Sequence, residues 1–464
     1  MLKRPPGPSP RFLIGNMPLA SPDPLSVFAR WAKEYGDIFY YRDGWQHVYF
    51  LNHPDLIDEV LVRNPRNFLK DRVVRGFFGE GLLSNEGDSW LRQRKLSAPA
   101  FHRERIASYA QLMIRYAEEM LATWEHGTTA DIHSEMMGLT LRIVVRSLFN
   151  LESNRTQQSR TAMNWMMGNA TAIRLLLPPL ARYLPLPQMV RVVRAVRDLD
   201  ETVYSIIAQH RSLEQDSGDL LSMLMSARDE DGRCMSDRQL HDEVLTFLIA
   251  GHETTALALT WTWYLLPRHP EVENRLHKEL DRVLAGRSPE FADLARLPYT
   301  ECVVKESMRL YPPAWNVART VISDFKLRGY TIPARSTVVM SQWIVHRHPA
   351  YFPDPESFDL ERWLSQAAKN LPPFAYFPFG GGPRQCIGAS FATMESALLL
   401  AIVARRFRLR IVVDHPVHPV PSFTLVRPKY GIRMTFESRS SRSIPLERRQ
   451  TWVGARASTA DHHD

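Results

Sequence analysis

Phe377-Pro-Phe-Gly-Gly-Gly-Pro-Arg-Gln-Cys-Ile-Gly388 cannot form regular secondary structure. Three successive glycines and two prolines force a tight, rigid loop. Cys386 stands at its far end, and Ala389-Ser-Phe-Ala-Thr-Met-Glu-Ser-Ala-Leu-Leu-Leu-Ala-Ile-Val403 follows as an apolar helix candidate. A cysteine at such a junction lies near free backbone N–H groups and the positive helix end, both of which favour a thiolate. A buried thiolate needs a further partner, and a metal ion fits that need. Taken alone, one cysteine in a glycine-rich turn is more often a small structural side chain.

The pattern Phe379-Gly-x-Gly-x-Arg-x-Cys-x-Gly resembles the haem-thiolate signature of the cytochrome P-450 family. It matches at every fixed position: Phe379, Gly380, Gly382, Arg384, Cys386 and Gly388. The resemblance implies that Cys386 is the axial iron ligand of a haem b. It also implies the family's fold, mainly α with a smaller β region, with the haem between a long central helix and the Cys386 loop.

Composition agrees with a soluble globular protein. Three cysteines (Cys234, Cys302, Cys386) are too scattered for a disulfide framework or a zinc site, which fits a reducing cytosol. The net charge of +8 is modest for 464 residues, and arginine is spread along the whole chain, so nucleic-acid binding is not indicated. Met1-Leu-Lys-Arg-Pro-Pro-Gly-Pro lacks both a signal-peptide core and the run of about 18 apolar residues that a membrane span needs. The expectation is a cytoplasmic monomer with a Pro-rich lead over 1–23, one catalytic domain over 24–436, and a Ser/Arg-rich disordered tail over 437–464.

Early in the chain, Ile38–Arg42 and His47–Asn52 read as strands joined by Asp43-Gly44, a hairpin signal. Residues 72–89 hold four glycines and no sustained period, so they read as a loop; the resemblance places it over the haem, with Phe77, Phe78 and Leu82 toward substrate. Trp90 and Arg94 are four apart on the next helix and share a face. An indole N–H and a guanidinium there suit a carboxylate, and in the family this pair meets a haem propionate. The apolar, proline-broken stretch 175–190 falls well short of a membrane span. By resemblance it connects two lid helices above the substrate entrance. Packing of a long loop explains it equally well.

Ser236-Asp-Arg-Gln239 fits a capping box, and the pattern then runs without proline to Leu266, roughly 45 Å of helix. Inside it stands Ala250-Gly-His-Glu-Thr-Thr255. Gly251 allows close approach, and Thr254 can bond back to a backbone carbonyl and open the helix locally. The stretch resembles the family's oxygen-activation motif, which implies that Thr254 orders water and that Glu253 belongs to a proton-delivery route. A helix kink held by polar side chains is the plainer alternative.

Thr300–Leu310 reads as a helix stopped by Pro312-Pro313 and carries Glu306 and Arg309, three apart. Exposed, such a pair would contribute under about 1 kcal/mol. The family's Glu-x-x-Arg pair is instead buried with a later arginine, here Arg362, and is structural. Arg319 lies where the family often binds a propionate, and Arg384 would be a further contact. Ala250, Ala314, Trp315, Val317 and Phe423 complete the apolar pocket that the resemblance implies.

No flavin- or iron–sulfur-binding segment is evident, so the electrons are expected from a ferredoxin or flavodoxin with its reductase. The implied reaction is monooxygenation of an apolar substrate such as a fatty acid, terpenoid or steroid. The motif style is nearer to fatty-acid-hydroxylating branches than to camphor-type ones. A haem-thiolate peroxygenase or isomerase would tend to lose the acid–Thr pair, which this chain keeps. A haem-based sensor would need a sixth protein ligand or a signalling domain, and no segment suggests either.

Overall fold

The computed structural model describes residues 3–10, 15–16, 18–71, 79–150, 187–212, 219–228, 231–422 and 424–439. Helices dominate it. Helices α1 (Pro24–Tyr35), α2 (Pro54–Asp58), α3 (Gly87–Ser97), α4 (Arg103–Leu121) and α5 (Ile132–Phe149) precede α6 (Pro187–Arg211) and α7 (Leu220–Ser226). The second half holds α8 (Asp237–Leu265), α9 (Pro270–Leu284), α10 (Pro298–Leu310), α11 (Gln342–Val345), α12 (Glu361–Leu364) and α13 (Ala389–Arg406).

The smaller β part is built mainly on one mixed sheet. Strands β1 (Ile38–Asp43), β2 (Gln46–Leu51), β3 (Phe68–Lys70), β5 (Val317–Val321) and β8 (Thr337–Met340) take the order β1-β2-β8-β5-β3. The expected hairpin forms, with Asp43 opposite Gln46 and the turn between them. A three-stranded sheet joins β4 (Thr129–Asp131), β12 (Arg433–Ser438) and β9 (Phe407–Ile411); β6 (Phe325–Leu327) pairs with β7 (Tyr330–Ile332), and β10 (Pro419–Ser422) with β11 (Leu425–Pro428). β12 carries ordered structure to Ser438, two residues into the stretch expected as tail; residues from 440 onward lie outside the described ones. The Pro-rich lead is not detached, since Tyr40 N–H donates to the Pro6 carbonyl at 2.8 Å.

The long helix forms as its cap predicts. Ser236 accepts from Gln239 N–H at 3.2 Å while the Gln239 side chain accepts from Ser236 N–H at 3.1 Å. α8 then runs unbroken through the Gly251–Thr255 stretch, packed against α5, α10 and α13. The expected local opening is absent: Thr254 and Thr255 bond back to carbonyls four residues earlier without interrupting the helix. At Gly251 a Cβ would lie 3.1 Å from Val144 Cγ2, so the missing side chain lets α5 and α8 close together. α13 buries nearly every residue from Phe391 to Ala404 and is the apolar floor behind the Cys386 loop.

Candidate haem site

The loop before α13 is fixed by its own backbone. Gly380 N–H donates to the Phe377 carbonyl at 2.9 Å, Gln385 N–H to Gly382 at 3.0 Å, and Cys386 N–H to Phe379 at 3.0 Å. Gly382 has φ +67°, and a Cβ there would fall 2.0 Å from the Leu61 carbonyl oxygen. Only glycine allows the loop to seat on the turn at Glu59–Arg63. Cys386 keeps accessible surface, yet the protein around it is dense enough that burial raises its thiol pKa. Its accessible side therefore opens on a space inside the fold. The Gly388 N–H, Arg94 and Lys70 oppose the rise and favour the thiolate.

Around that space the chain gathers cations. Lys70 and Arg319 are direct partners across the antiparallel β3–β5 ladder, a pairing of like charges that is destabilising unless something negative sits between them. Arg319 is buried, and its hydrogen bond among the described residues goes to the carbonyl of its own neighbour Ala318 at 2.9 Å. Burial, then Arg384, push its pKa down to about 10. Lys70 is held well below the usual lysine range by burial, Arg319 and Arg384. Arg384 pairs with Glu86, donates to the Asn85 carbonyl at 2.7 Å, and lays its guanidinium 4.0 Å from the centre of the Trp90 ring. Glu86 is the one carboxylate that acts on Lys70, Arg319 and Arg384 among the described residues.

Trp90 and Arg94, expected together at a propionate, also have protein partners. Trp90 carries Arg384, and Arg94 donates to the Gln385 carbonyl at 2.7 Å beside Cys386. Burial lowers the Arg94 pKa while the neighbouring thiol sulfur opposes that shift. α3 begins at Gly87, three residues before Trp90, so the loop read as reaching residue 89 ends earlier. Sequence reasoning missed Lys70 and Glu86, and nothing short of strand pairing would have found Lys70.

These residues fit a haem. A surplus of cations, Arg319 buried and Lys70 and Arg384 half-buried, suits a group that brings two carboxylates of its own. Among the described residues no group of three or more His, Cys, Asp or Glu could hold a bare metal ion. A haem carries most of its iron's ligands in the porphyrin, so Cys386 would supply a protein donor.

The Ala250–Thr255 motif lies in mid-helix on α8. Ala250 is exposed and Thr254 half-buried, and the Thr254 hydroxyl donates to the Ala250 carbonyl at 2.8 Å. Glu253 is buried and paired with Arg427 of β11, a partner that the sequence did not suggest. Burial raises the Glu253 pKa and Arg427 opposes it. Asp242 and Glu243, near the start of α8, accept the backbone N–H groups of Glu80 (2.8 Å) and Leu82 (3.1 Å), tying the described end of the 72–89 loop to the helix. Burial pushes the Glu243 pKa up to about 8.

On α10, Glu306 and Arg309 are fully buried and make two parallel bonds at 2.8 and 2.9 Å. Arg362 Nε and Trp363 Nε1 close on the same carboxylate at 3.0 and 2.7 Å. Arg309 also donates to the carbonyls of His346, Pro355 and Ser357. His346 in turn accepts Phe377 N–H at 2.9 Å, so the network reaches the first residue of the Cys386 loop. Trp363 was not anticipated.

Of the expected pocket residues, Ala250 and Ala314 keep accessible surface, and Leu82 is buried. Trp315 corrects the reading: it is 2% exposed and packs on Phe28 at 5.3 Å, inside an aromatic cluster with Phe50 and Tyr41, so it closes the core instead of lining a pocket. Phe77, Phe78, Phe423 and residues 175–186 lie outside the described residues. No helix among the described residues is long and apolar enough to cross a membrane.

A family model described as Cytochrome P450 matches residues 5–436. The chain is 38% identical to cyclooctat-9-en-7-ol 5-monooxygenase of Streptomyces melanosporofaciens, over 89% of either protein. It is 36% identical to pentalenene oxygenase of Streptomyces avermitilis, over 85% of this chain and 89% of that one. The crystal structure of the cytochrome P450DA heme domain superposes with a TM-score of 0.86 at 26% identity, covering 95% of this chain and 99% of the other.

Proposed function

Because the chain belongs to the cytochrome P450 family and is a monooxygenase, we propose that it inserts one atom of dioxygen into a C–H or C=C bond of a terpenoid, with haem b as cofactor. The balance is substrate, O2, two electrons and two protons giving oxygenated product and water. The single observation that carries the haem reading is Lys70 opposite Arg319 beside Cys386, a pair of cations, one buried and one half-buried, next to one thiol. The terpenoid reading is supported by the relatives named for pentalenene and cyclooctat-9-en-7-ol.

Haem, held by the Cys386 thiolate, would supply the redox-active iron needed for oxygen activation. Lys70, Arg319 and Arg384 would hold its propionates with Trp90 and Arg94 as further contacts, and Arg94 also steadies the ligand loop through Gln385. Phe379 and Gly388 flank the sulfur within the loop. Thr254 and Glu253 pass protons inward from α8. Glu306, Arg309 and Arg362 fix the loop from behind.

A spectral binding screen with terpenoids, fatty acids, steroids and aromatic compounds tests the substrate class. A spin-state shift with cyclic terpenoids is expected, and a response to fatty acids alone would overturn it. Electrons come from an acidic ferredoxin or flavodoxin docking near the exposed Lys95 and Arg105. Reduction should slow as salt rises, and a salt-independent rate would exclude that partner. The protein is proposed to act as a cytoplasmic monomer, with 24–436 as one catalytic unit; a sizing column reads the mass directly.

A further inference from the structure

Arg427 reaches Glu253 from β11 in an unbalanced way. Its Nε donates to Oε1, and Nη2 lies at ion-pair distance from the same oxygen without a hydrogen bond, while Oε2 is buried with no hydrogen-bond partner. An arginine–carboxylate pair ordinarily uses both oxygens in parallel, as Glu306 and Arg309 do here. The arm that carries Arg427 is firmly held. Trp261 of α8 donates to the Val426 carbonyl at 3.0 Å, and Trp315 N–H to Thr424 at 2.9 Å.

Other ionisable groups on the packed elements are directed elsewhere. His252 bonds the Leu248 carbonyl, His133 of α5 meets Thr260, and Glu306 and Arg309 of α10 close on each other. Glu395 of α13 lies beside Thr255. Arg427 is the one charge that acts on Glu253 among the described residues.

We propose that Arg427 is a positioning residue for Glu253: by pinning Oε1 it leaves Oε2 as the oxygen that takes and gives the proton bound for Thr254. This rests on the reading of Glu253 as part of the proton route. Burial alone would keep the carboxyl protonated, and Arg427 draws it back toward the carboxylate. Pinning one oxygen lets the group change protonation without swinging away from its place on α8.

The test uses the haem-loaded protein with redox partners and a substrate from the binding screen. Arg427→Gln, Arg427→Lys and Glu253→Gln are compared across pH. One readout is the infrared band of a protonated buried carboxyl, assigned by its loss in Glu253→Gln. The other is product formed per reduced nicotinamide.

In Arg427→Gln the band should persist to higher pH than in the parent, and the pH profile of product yield should move the same way. In Arg427→Lys the charge remains but the Nε–H bond to Oε1 is lost, so the band should stay near the parent's while yield falls several-fold. Parent-like band and profile in Arg427→Gln, with Glu253→Gln still uncoupled, would overturn the positioning role and leave Glu253 standing. Parent-like yield in Glu253→Gln would remove the underlying reading and the proposal with it. If Arg427→Gln loses haem, Arg427→Lys decides alone, and an unchanged yield there overturns the proposal.

Discussion

Lys70 and Arg319 stand directly opposite each other on paired strands, two cations where the ladder would ordinarily prefer unlike charges. The arrangement makes opposite predictions for the protein with and without haem. Arg319→Gln removes a charge-assisted bond of about 1.5–3 kcal/mol to a propionate, so haem transfer to apomyoglobin should speed up roughly 10- to 100-fold. In the protein stripped of haem, the same substitution should raise the melting temperature by relieving repulsion. A lower melting temperature in the stripped protein would show that Arg319 answers to some group other than haem.

Cys386 alone lies in the glycine loop. Cys234 is exposed elsewhere, and Cys302 is buried with its thiol pushed up to about 11 by desolvation. Cys234→Ala and Cys302→Ala should keep the thiolate-type carbon-monoxide difference spectrum, whereas Cys386→Ser should abolish it. The spectrum itself is the check.

Two carboxylates on α10 separate burial from mere pairing. Glu301 makes an exposed bond to Lys305 at 2.8 Å, while Glu306 sits in the sealed network with Arg309 and Arg362. Glu306→Ala leaves two buried guanidiniums short of their partner and should cost about 3–5 kcal/mol in denaturant unfolding. Glu301→Ala should cost about 0.5 kcal/mol or less.

Thr254→Ala should leave haem and substrate binding intact, because the hydroxyl bonds only the Ala250 carbonyl among the described residues. Reduced nicotinamide should still be consumed while hydrogen peroxide replaces product. Proton-transfer groups contribute about 10²- to 10⁴-fold, so product formation should fall by at least the lower figure. Unchanged coupling would make the threonine purely structural.

Glu395 gives a pH prediction. It is wholly buried on α13; Thr255 faces it, but that hydroxyl is turned to the Gly251 carbonyl at 3.4 Å, and neither Glu395 oxygen has a hydrogen-bond partner. Burial pushes its pKa up to about 8, from an ordinary 4.5. A carboxyl raised in the folded state favours folding most below pH 4.5, and that contribution is lost as pH rises toward about 8. The span corresponds to roughly 4–5 kcal/mol. Glu395→Gln should flatten this part of the stability profile, as read by unfolding at a series of pH values.

Much of this was legible from local signals. The Ser236–Gln239 box, the Asp43-Gly44 turn and the six fixed positions around Cys386 each depend on residues a few places apart, where capping, turn chemistry and loop geometry act. Lys70, Glu86 and Arg427 were not legible, because their partners belong to elements far away in the chain. Trp315 shows a different limit. It was expected in the apolar pocket, but which side of the chain it packs on is fixed by Phe28, and no local pattern carries that.

The seat of Gly382 on the Leu61 carbonyl has a consequence for biosynthesis. Leu61, Lys70, Glu86 and Arg94 leave the ribosome well before Arg319, Gly382 and Cys386. β2 and β3 emerge with open edges and wait for β8 and β5, a pairing of high sequence separation that is slow to form. Translation must pass Cys386 before the cofactor has its ligand, so haem capture waits for segments made far apart in time.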